Sequence, residues 1–242
     1  FAIFELLGLG KKDNFYHLAY GMVRVPGGKM SSRMGNVILA DDLLDKVKEL
    51  TKQLMAGRKI GGDSSVGDQE EISEAVAVGA VKYALLKVNP LMDVTFDLEN
   101  SVSLDGDSGP YLQYTYARAR SILRKAQTDY RLPSTDYSNR KKTVVGSQWS
   151  VDQLQNEELA LLKYLYRFPE VVASAARTYG PNLLCTYLYE LAKRFNNFYN
   201  NVQILGASSQ QLAASRIQLT EATSIVLKNG LNLLGIKALE RM

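Results

Sequence analysis

Leu184, Tyr187, Leu188, Leu191, Phe195 and Phe198 recur at intervals of three and four residues behind Pro181, a spacing that only an α-helix collects onto one face. A helix carrying such a stripe must bury it against neighbours, so the pattern dictates a packed helical body. The same reading extends over the chain from Ser108 onward. Pro110, behind Ser108 and Gly109, stands where a first helical residue needs no N–H, and the helix it opens is expected to run to about Gln127. Pro169 and Pro181 each sit where a further helix can begin. Ser150 and Gln153 have the pattern of a capping box ahead of Leu154, Leu159, Leu162 and Leu165. A last helix spans about Ser208 to Leu234 and stops at Gly235 in the manner of a glycine C-cap. The polar stretch from Asp129 to Ser147 reads as a loop. The expected architecture of this half is an antiparallel α-helical bundle.

The first half reads differently. Phe1 to Leu9 is a short apolar helical segment ending at Gly10, and His17 to Val25 is partly alternating and β-branched, as in a strand stopped by Pro26-Gly27-Gly28. One strand cannot make a domain, so its sheet neighbours are expected before Phe1. Asp41 or Asp42 can cap a helix to about Ala56, with Leu43, Leu44, Val47, Leu50 and Leu54 at helical spacing. After a connection from Gly61 to Gly67, a second helix is expected from about Asp68 to Val88, and its Ala75, Ala77, Gly79, Ala80 and Ala84 permit close packing. Beyond Pro90, Val94, Phe96 and Leu98 alternate with Thr95 and Asp97 as in a half-buried strand. A boundary between Asn100 and Gly106 divides the chain into segments 1–103 and 104–242. The whole is mainly α, with an α/β portion ahead of the bundle.

Composition removes several functions. The 242 residues hold one cysteine, Cys185, and one histidine, His17, which precludes an internal disulfide and a zinc cluster. A formal charge of +4 is mild, so affinity for nucleic acid must come from local basic patches. No apolar run is long enough for a bilayer, and Phe1 to Gly10 lacks the basic flank of a signal peptide, so a cytoplasmic location is expected.

The run Gly27-Gly28-Lys29-Met30-Ser31-Ser32-Arg33-Met34-Gly35-Asn36 concentrates chemistry in a loop. Its glycines allow the main chain to approach a ligand closely, Lys29 and Arg33 bring cations, and Ser31, Ser32 and Asn36 bring short hydrogen-bonding arms. Such a set suits a triphosphate. It also suits a solvated turn, and the residues alone leave both readings open.

Lys29-Met30-Ser31-Ser32-Arg33 resembles the KMSKS loop of class I aminoacyl-tRNA synthetases. Ser108-Gly109-Pro110-Tyr111-Leu112-Gln113-Tyr114-Thr115-Tyr116-Ala117-Arg118 is similar to the segment that opens the anticodon-binding domain of the arginyl members, and Leu233-Leu234-Gly235-Ile236-Lys237-Ala238-Leu239-Glu240-Arg241-Met242 resembles their C-terminus. The resemblance implies the end of a Rossmann-type catalytic domain followed by a helical anticodon-binding domain. It implies ATP-dependent activation of arginine and transfer to tRNA, with ATP as a substrate accompanied by Mg2+. Arginine would be held mainly by a preceding half, since no His-x-Gly-His motif occurs here and His17 stands alone. This chain by itself is therefore expected to be inactive as a ligase.

On that resemblance Lys29, Met30, Ser31, Ser32 and Arg33 contact ATP. Lys29 and Arg33 are the catalytic candidates, meeting the charge that builds on the leaving phosphates. Ser32 stands where many class I enzymes place a second lysine, and Arg33 is the candidate substitute. For tRNA the candidates are Tyr111, Gln113, Tyr114 and Arg118 on the first bundle helix, Tyr199 within Asn196-Asn197-Phe198-Tyr199-Asn200-Asn201, and Arg241 and Met242. Unstacked bases are read by aromatic stacking and by hydrogen bonds to their edges. Arg120, Arg124 and Lys125 beside Arg118 are expected to meet phosphate. The competing readings are another class I synthetase such as the cysteinyl enzyme, and a tRNA-binding module without catalysis.

Overall fold

Helices make up most of the computed structural model, which describes residues 1–24, 40–57, 66–130 and 154–242. The order is α1 (Ala2–Leu6), a 3-10 turn (Lys12–Asn14), β1 (Val23–Arg24), α2 (Ala40–Gly57), α3 (Val66–Leu86), β2 (Val94–Thr95) and α4 (Leu98–Val102). Then follow α5 (Gly109–Tyr130), α6 (Asn156–Leu165), α7 (Phe168–Thr178), α8 (Pro181–Asn201) and α9 (Gln210–Leu233). No helix among the described residues is long and apolar enough to cross a membrane.

The ends of the helices show why they lie where they do. Ser108 Oγ accepts from the Tyr111 N–H at 3.2 Å, which caps α5 one residue ahead of Gly109 and Pro110. Ser209 does the same for α9 through the Leu212 N–H at 3.1 Å, and Gly235, with φ 67°, closes it. Pro181 is the first residue of α8, and Pro169 the second of α7. Helix α7 ends at Tyr179, whose φ of 50° is left-handed and costs a bulky residue about 1–3 kcal/mol. Its ring lies against Tyr16, with centroids 4.2 Å apart and planes 18° from parallel.

Two apolar cores organise the molecule. The larger is built from Leu112, Tyr116, Leu161, Leu188, Leu191, Phe195, Phe198, Leu227 and Leu231, joining α5, α6, α8 and α9. The smaller joins α2, α3 and α4 through Val47, Ala77, Ala80, Phe96 and Val102. Helices α3 and α5 cross where glycine meets glycine: a Cβ on Gly109 would stand 2.4 Å from the Gly79 carbonyl oxygen, so neither helix can carry a side chain at the contact. The small residues of α3 serve the close approach expected of them.

Three expectations change. The strand anticipated over His17 to Val25 pairs only at Val23 and Arg24 among the described residues, and its partner is downstream: it runs parallel to Val94–Thr95, in the register Val23↔Val94. Asp93 fixes that register, accepting from the Met22 N–H at 2.8 Å and from Arg24 at 2.6 Å. Leu98 leaves the strand pattern because Asp97 Oδ1 accepts from the Asn100 N–H at 3.1 Å and starts a helix; the bonds from Asn100 hold its carboxyl below the ordinary range. In α6 the buried residues are Glu158 and Leu161, whereas Leu162 is exposed. The interior phase is set by a charge, since Arg216 Nε donates to Glu158 Oε1 at 3.0 Å with both side chains almost wholly enclosed. The anticipated capping pair Ser150 and Gln153 and the loop from residue 131 lie outside the described residues, and α6 itself starts at Asn156, where Glu158 accepts from the Gln155 N–H at 2.9 Å.

Candidate nucleic-acid interface

A groove of about 1060 Å3 opens where the start of α3, the middle of α5, the end of α8 and the segment 239–242 converge. Its floor is Arg118. The guanidinium carbon lies 4.8 Å from the Tyr114 ring centroid and 5.0 Å from that of Tyr199, so the cation is flanked by two rings from different helices. Tyr114 and Arg118 share a face of α5 by their four-residue spacing, and Asn196 and Tyr199 share a face of α8 by their three-residue spacing. Arg118 donates to Asn196 Oδ1 at 2.6 Å. Tyr199 is 42% exposed and presents ring surface to solvent.

The far wall is the segment after α9. Ile236 and Leu239 are buried, and polar bonds hold the backbone around them. Lys82 donates to the Gly235 carbonyl at 2.6 Å, and Gln113 Nε2 donates to the Lys237 carbonyl at 2.8 Å. Glu240 receives the Tyr116 hydroxyl and Arg120 Nε, each at 2.7 Å, while Arg124 donates to its carbonyl at 2.9 Å. Burial alone would raise the Glu240 carboxyl, but the bonds from Tyr116 and Arg120 outweigh it and hold the group below its ordinary value. Tyr116 is pushed up, by burial first and by that carboxylate second. Asp68 and Glu71 on α3 face the cations across the groove, so the site is not uniformly positive.

Of the residues expected at RNA, Tyr114, Arg118, Tyr199, Arg241 and Met242 all line this groove. Tyr111 lies beside it with its ring edge-on to Tyr189 and its hydroxyl accepting from Asn196 at 2.9 Å. Gln113 requires a correction: it is wholly buried, its amide spanning the Ala75 and Lys237 carbonyls, which makes it a fastener of the segment 236–242 rather than a reader of bases. Arg120 is paired with the Glu240 carboxylate, while Arg124 lines the groove and donates to the Glu240 carbonyl. Asn196, expected to offer its amide to base edges, is already committed to Arg118, Tyr111 and Thr115. Glu240 and Thr115 were not anticipated, and no local signal marks them, because their partners lie elsewhere in the sequence. Lys29, Met30, Ser31, Ser32 and Arg33 lie outside the described residues.

Comparison with known proteins matches residues 112–242 to the DALR anticodon binding domain and residues 1–98 to the catalytic domain of class I tRNA synthetases of the R type. The arginine–tRNA ligase of Treponema denticola is 41% identical over 100% of this chain and 39% of its own length. The chain belongs to the arginyl-tRNA synthetase family. The ligase of Thermococcus kodakarensis is 40% identical over 98% of this chain and 36% of its own length. The Thermus thermophilus arginyl-tRNA synthetase structure superposes with a TM-score of 0.74 at 30% identity, covering 93% of this chain and 35% of that one. The Plasmodium falciparum arginyl-tRNA synthetase gives 0.71 at 25% identity, over 100% and 38%. The chain thus spans well under half the length of the curated relatives it matches. Membership of this family sets aside the cysteinyl alternative.

Proposed function

We propose that this chain is the part of an arginine–tRNA ligase that grips the anticodon loop and supplies the ATP-phosphate loop. The observation that carries the RNA reading is the groove, where residues far apart in sequence set a flat cation between two tyrosines, one of them open to solvent. Bases splayed from a loop stack on such faces. Tyr199, Met242 and Arg241 are the contacts proposed for the bases and the adjoining backbone, with Tyr114 and Arg118 beneath them.

The catalytic half of the proposal rests on residues 29–33. In activation the arginine carboxylate attacks the α-phosphate of ATP, held as its magnesium complex, and pyrophosphate leaves. Lys29 and Arg33 are the cations proposed to meet the charge on the leaving group, each contribution being about 3–4 kcal/mol. Parallel pairing of β1 with β2 supports reading segment 1–103 as the end of a Rossmann-type sheet, since parallel strands belong to α/β layers. The large apolar side chains exposed between Phe1 and Met22 support it too, as surface that further strands and helices would cover. Segment 104–242 is proposed as the antiparallel bundle, and a cytoplasmic enzyme with arginine held by its other half is the corresponding whole.

Titration of an arginine tRNA transcript into the chain tests the RNA reading. Tyr199→Ala should raise Kd about 5- to 150-fold, the equivalent of one lost stacked base, with the denaturant midpoint unmoved. Equal affinity for the two proteins would remove the groove from RNA recognition.

A further inference from the structure

We infer that Asn196 is the residue that orients Arg118 in the groove, a positioning residue for whatever base or backbone group stacks there; the inference rests on the RNA-binding reading above. The Asn196 amide is locked by its partners. Nδ2 donates to the Tyr111 hydroxyl at 2.9 Å and to Thr115 Oγ1 at 3.2 Å. The Thr115 hydroxyl proton is spent on the Tyr111 carbonyl at 2.8 Å, so Oγ1 faces Asn196 only as an acceptor. Oδ1 therefore has to point the other way, where the Arg118 guanidinium donates to it at 2.6 Å. Turning the amide over would set NH2 against guanidinium and, at Thr115, a carbonyl against an oxygen with no proton to offer, two repulsive contacts against one that the Tyr111 hydroxyl could keep by donating.

The consequence for Arg118 is directional. Among the described residues its one side-chain hydrogen bond is this one, and the Tyr114 and Tyr199 faces flank the cation, holding it by position more than by orientation. A hydrogen bond from one guanidinium nitrogen sets an axis, and together with the two ring faces it restricts how the plane can turn. With the plane restricted, the remaining N–H groups keep a preferred direction, and Arg118 meets incoming RNA partly oriented, so the ordering cost of binding is lower. Thr115 is fully buried and Asn196 half-buried, so the chain of command runs from inside the protein outward.

The test measures Kd of the chain for an arginine tRNA transcript in Arg118→Ala, Thr115→Val, Asn196→Leu and the two combinations with Arg118→Ala. Arg118→Ala should weaken binding about ten- to hundredfold. Asn196→Leu should weaken it at least about threefold, and Thr115→Val about twofold, although Thr115 is out of reach of RNA. Both effects should vanish when Arg118 is already alanine, which a purely structural role would not produce, since lost packing would add in either background. Thr115→Val keeps the shape of the side chain, so it remains informative should Asn196→Leu fail to fold. Effects that persist in the Arg118→Ala background, or Thr115→Val and Asn196→Leu proteins that bind as tightly as the parent, would overturn the inference while leaving the RNA reading intact. Unchanged affinity of Arg118→Ala itself would overturn both.

Discussion

Replacing Glu240 by alanine should loosen the segment that walls the groove without unfolding the helices behind it. The magnitude follows from the partners. Tyr116 is 1% exposed, and its hydroxyl, bonded to Glu240 Oε1 at 2.7 Å, would be left in the interior without an acceptor. An orphaned buried hydroxyl costs about 1–3 kcal/mol. The Arg120 pair, with side chains 26% and 50% exposed, adds at most about 1 kcal/mol because solvent screens it. The bond from Arg124 to the Glu240 carbonyl survives the change. The loss falls on the segment rather than on the larger core, whose members lie mainly on α5, α6, α8 and α9. A local cost of about 1–3 kcal/mol raises the population of the released segment about 5- to 150-fold. Carboxypeptidase reads that population directly, since a residue must leave the surface before it is trimmed. In the parent protein trimming should stall before Glu240, which Tyr116, Arg120 and Arg124 hold; in Glu240→Ala it should pass position 240 at a rate raised by the same factor. Glu240→Gln, which keeps an acceptor for Tyr116, should fall between. A trimming profile identical to the parent's would refute the reasoning.

Further outcomes are equally definite. Because the Glu240 carboxyl is held below its ordinary value of 4.5, its contribution is complete above that pH and lost as the pH falls through the depressed value; the gap in denaturant midpoint between the parent and Glu240→Gln should therefore shrink below about pH 4.5. Arg216→Met leaves Glu158 enclosed without a counter-charge and should cost about 3–5 kcal/mol in chemical denaturation, with much of it recovered when Glu158 is also made leucine. Cys185, buried and with its thiol pushed up to about 12 by burial, should resist maleimide at neutral pH until the protein unfolds. Gly109→Ala should destabilise by about 1–3 kcal/mol, measured as a shift in the thermal midpoint, by forcing a methyl group against the Gly79 carbonyl.

The helices were legible because their signals are local. Pro181 and the apolar spacing behind it mark α8, Ser108 marks the start of α5, and Gly235 marks the end of α9, each acting within a turn or two of its own position. What could not be read depends on partners distant in sequence. Gln113, Arg120 and Arg124 look like surface groups until the segment 236–242, more than a hundred residues later, is laid across them. The phase of α6 was missed for a related reason: Glu158 faces inward only because Arg216 waits on α9, and hydrophobicity alone assigns a glutamate to solvent. For the groove, aromatic and basic residue types identified Tyr114, Arg118, Tyr199 and Arg241, but neither the acidic and apolar remainder of the lining nor which amide would orient the cation.

The contact of Gly79 with Gly109 has a mechanical consequence. At that point the two backbones touch, and the buried Gln113 side chain beside it is tied to the Ala75 carbonyl, so sliding of α3 along α5 is opposed more strongly than a small tilt about the touching atoms. Asp68 stands eleven residues before Gly79 on α3, a lever arm of about 16 Å at 1.5 Å per residue. A turn of about 5° at the pivot then moves the acidic rim of the groove by about 1.4 Å, over the same arm. A tilt of α3 about this crossing would change the aperture through which RNA is proposed to enter, against the bonds from Lys82 to Gly235 and from Lys237 to Glu71.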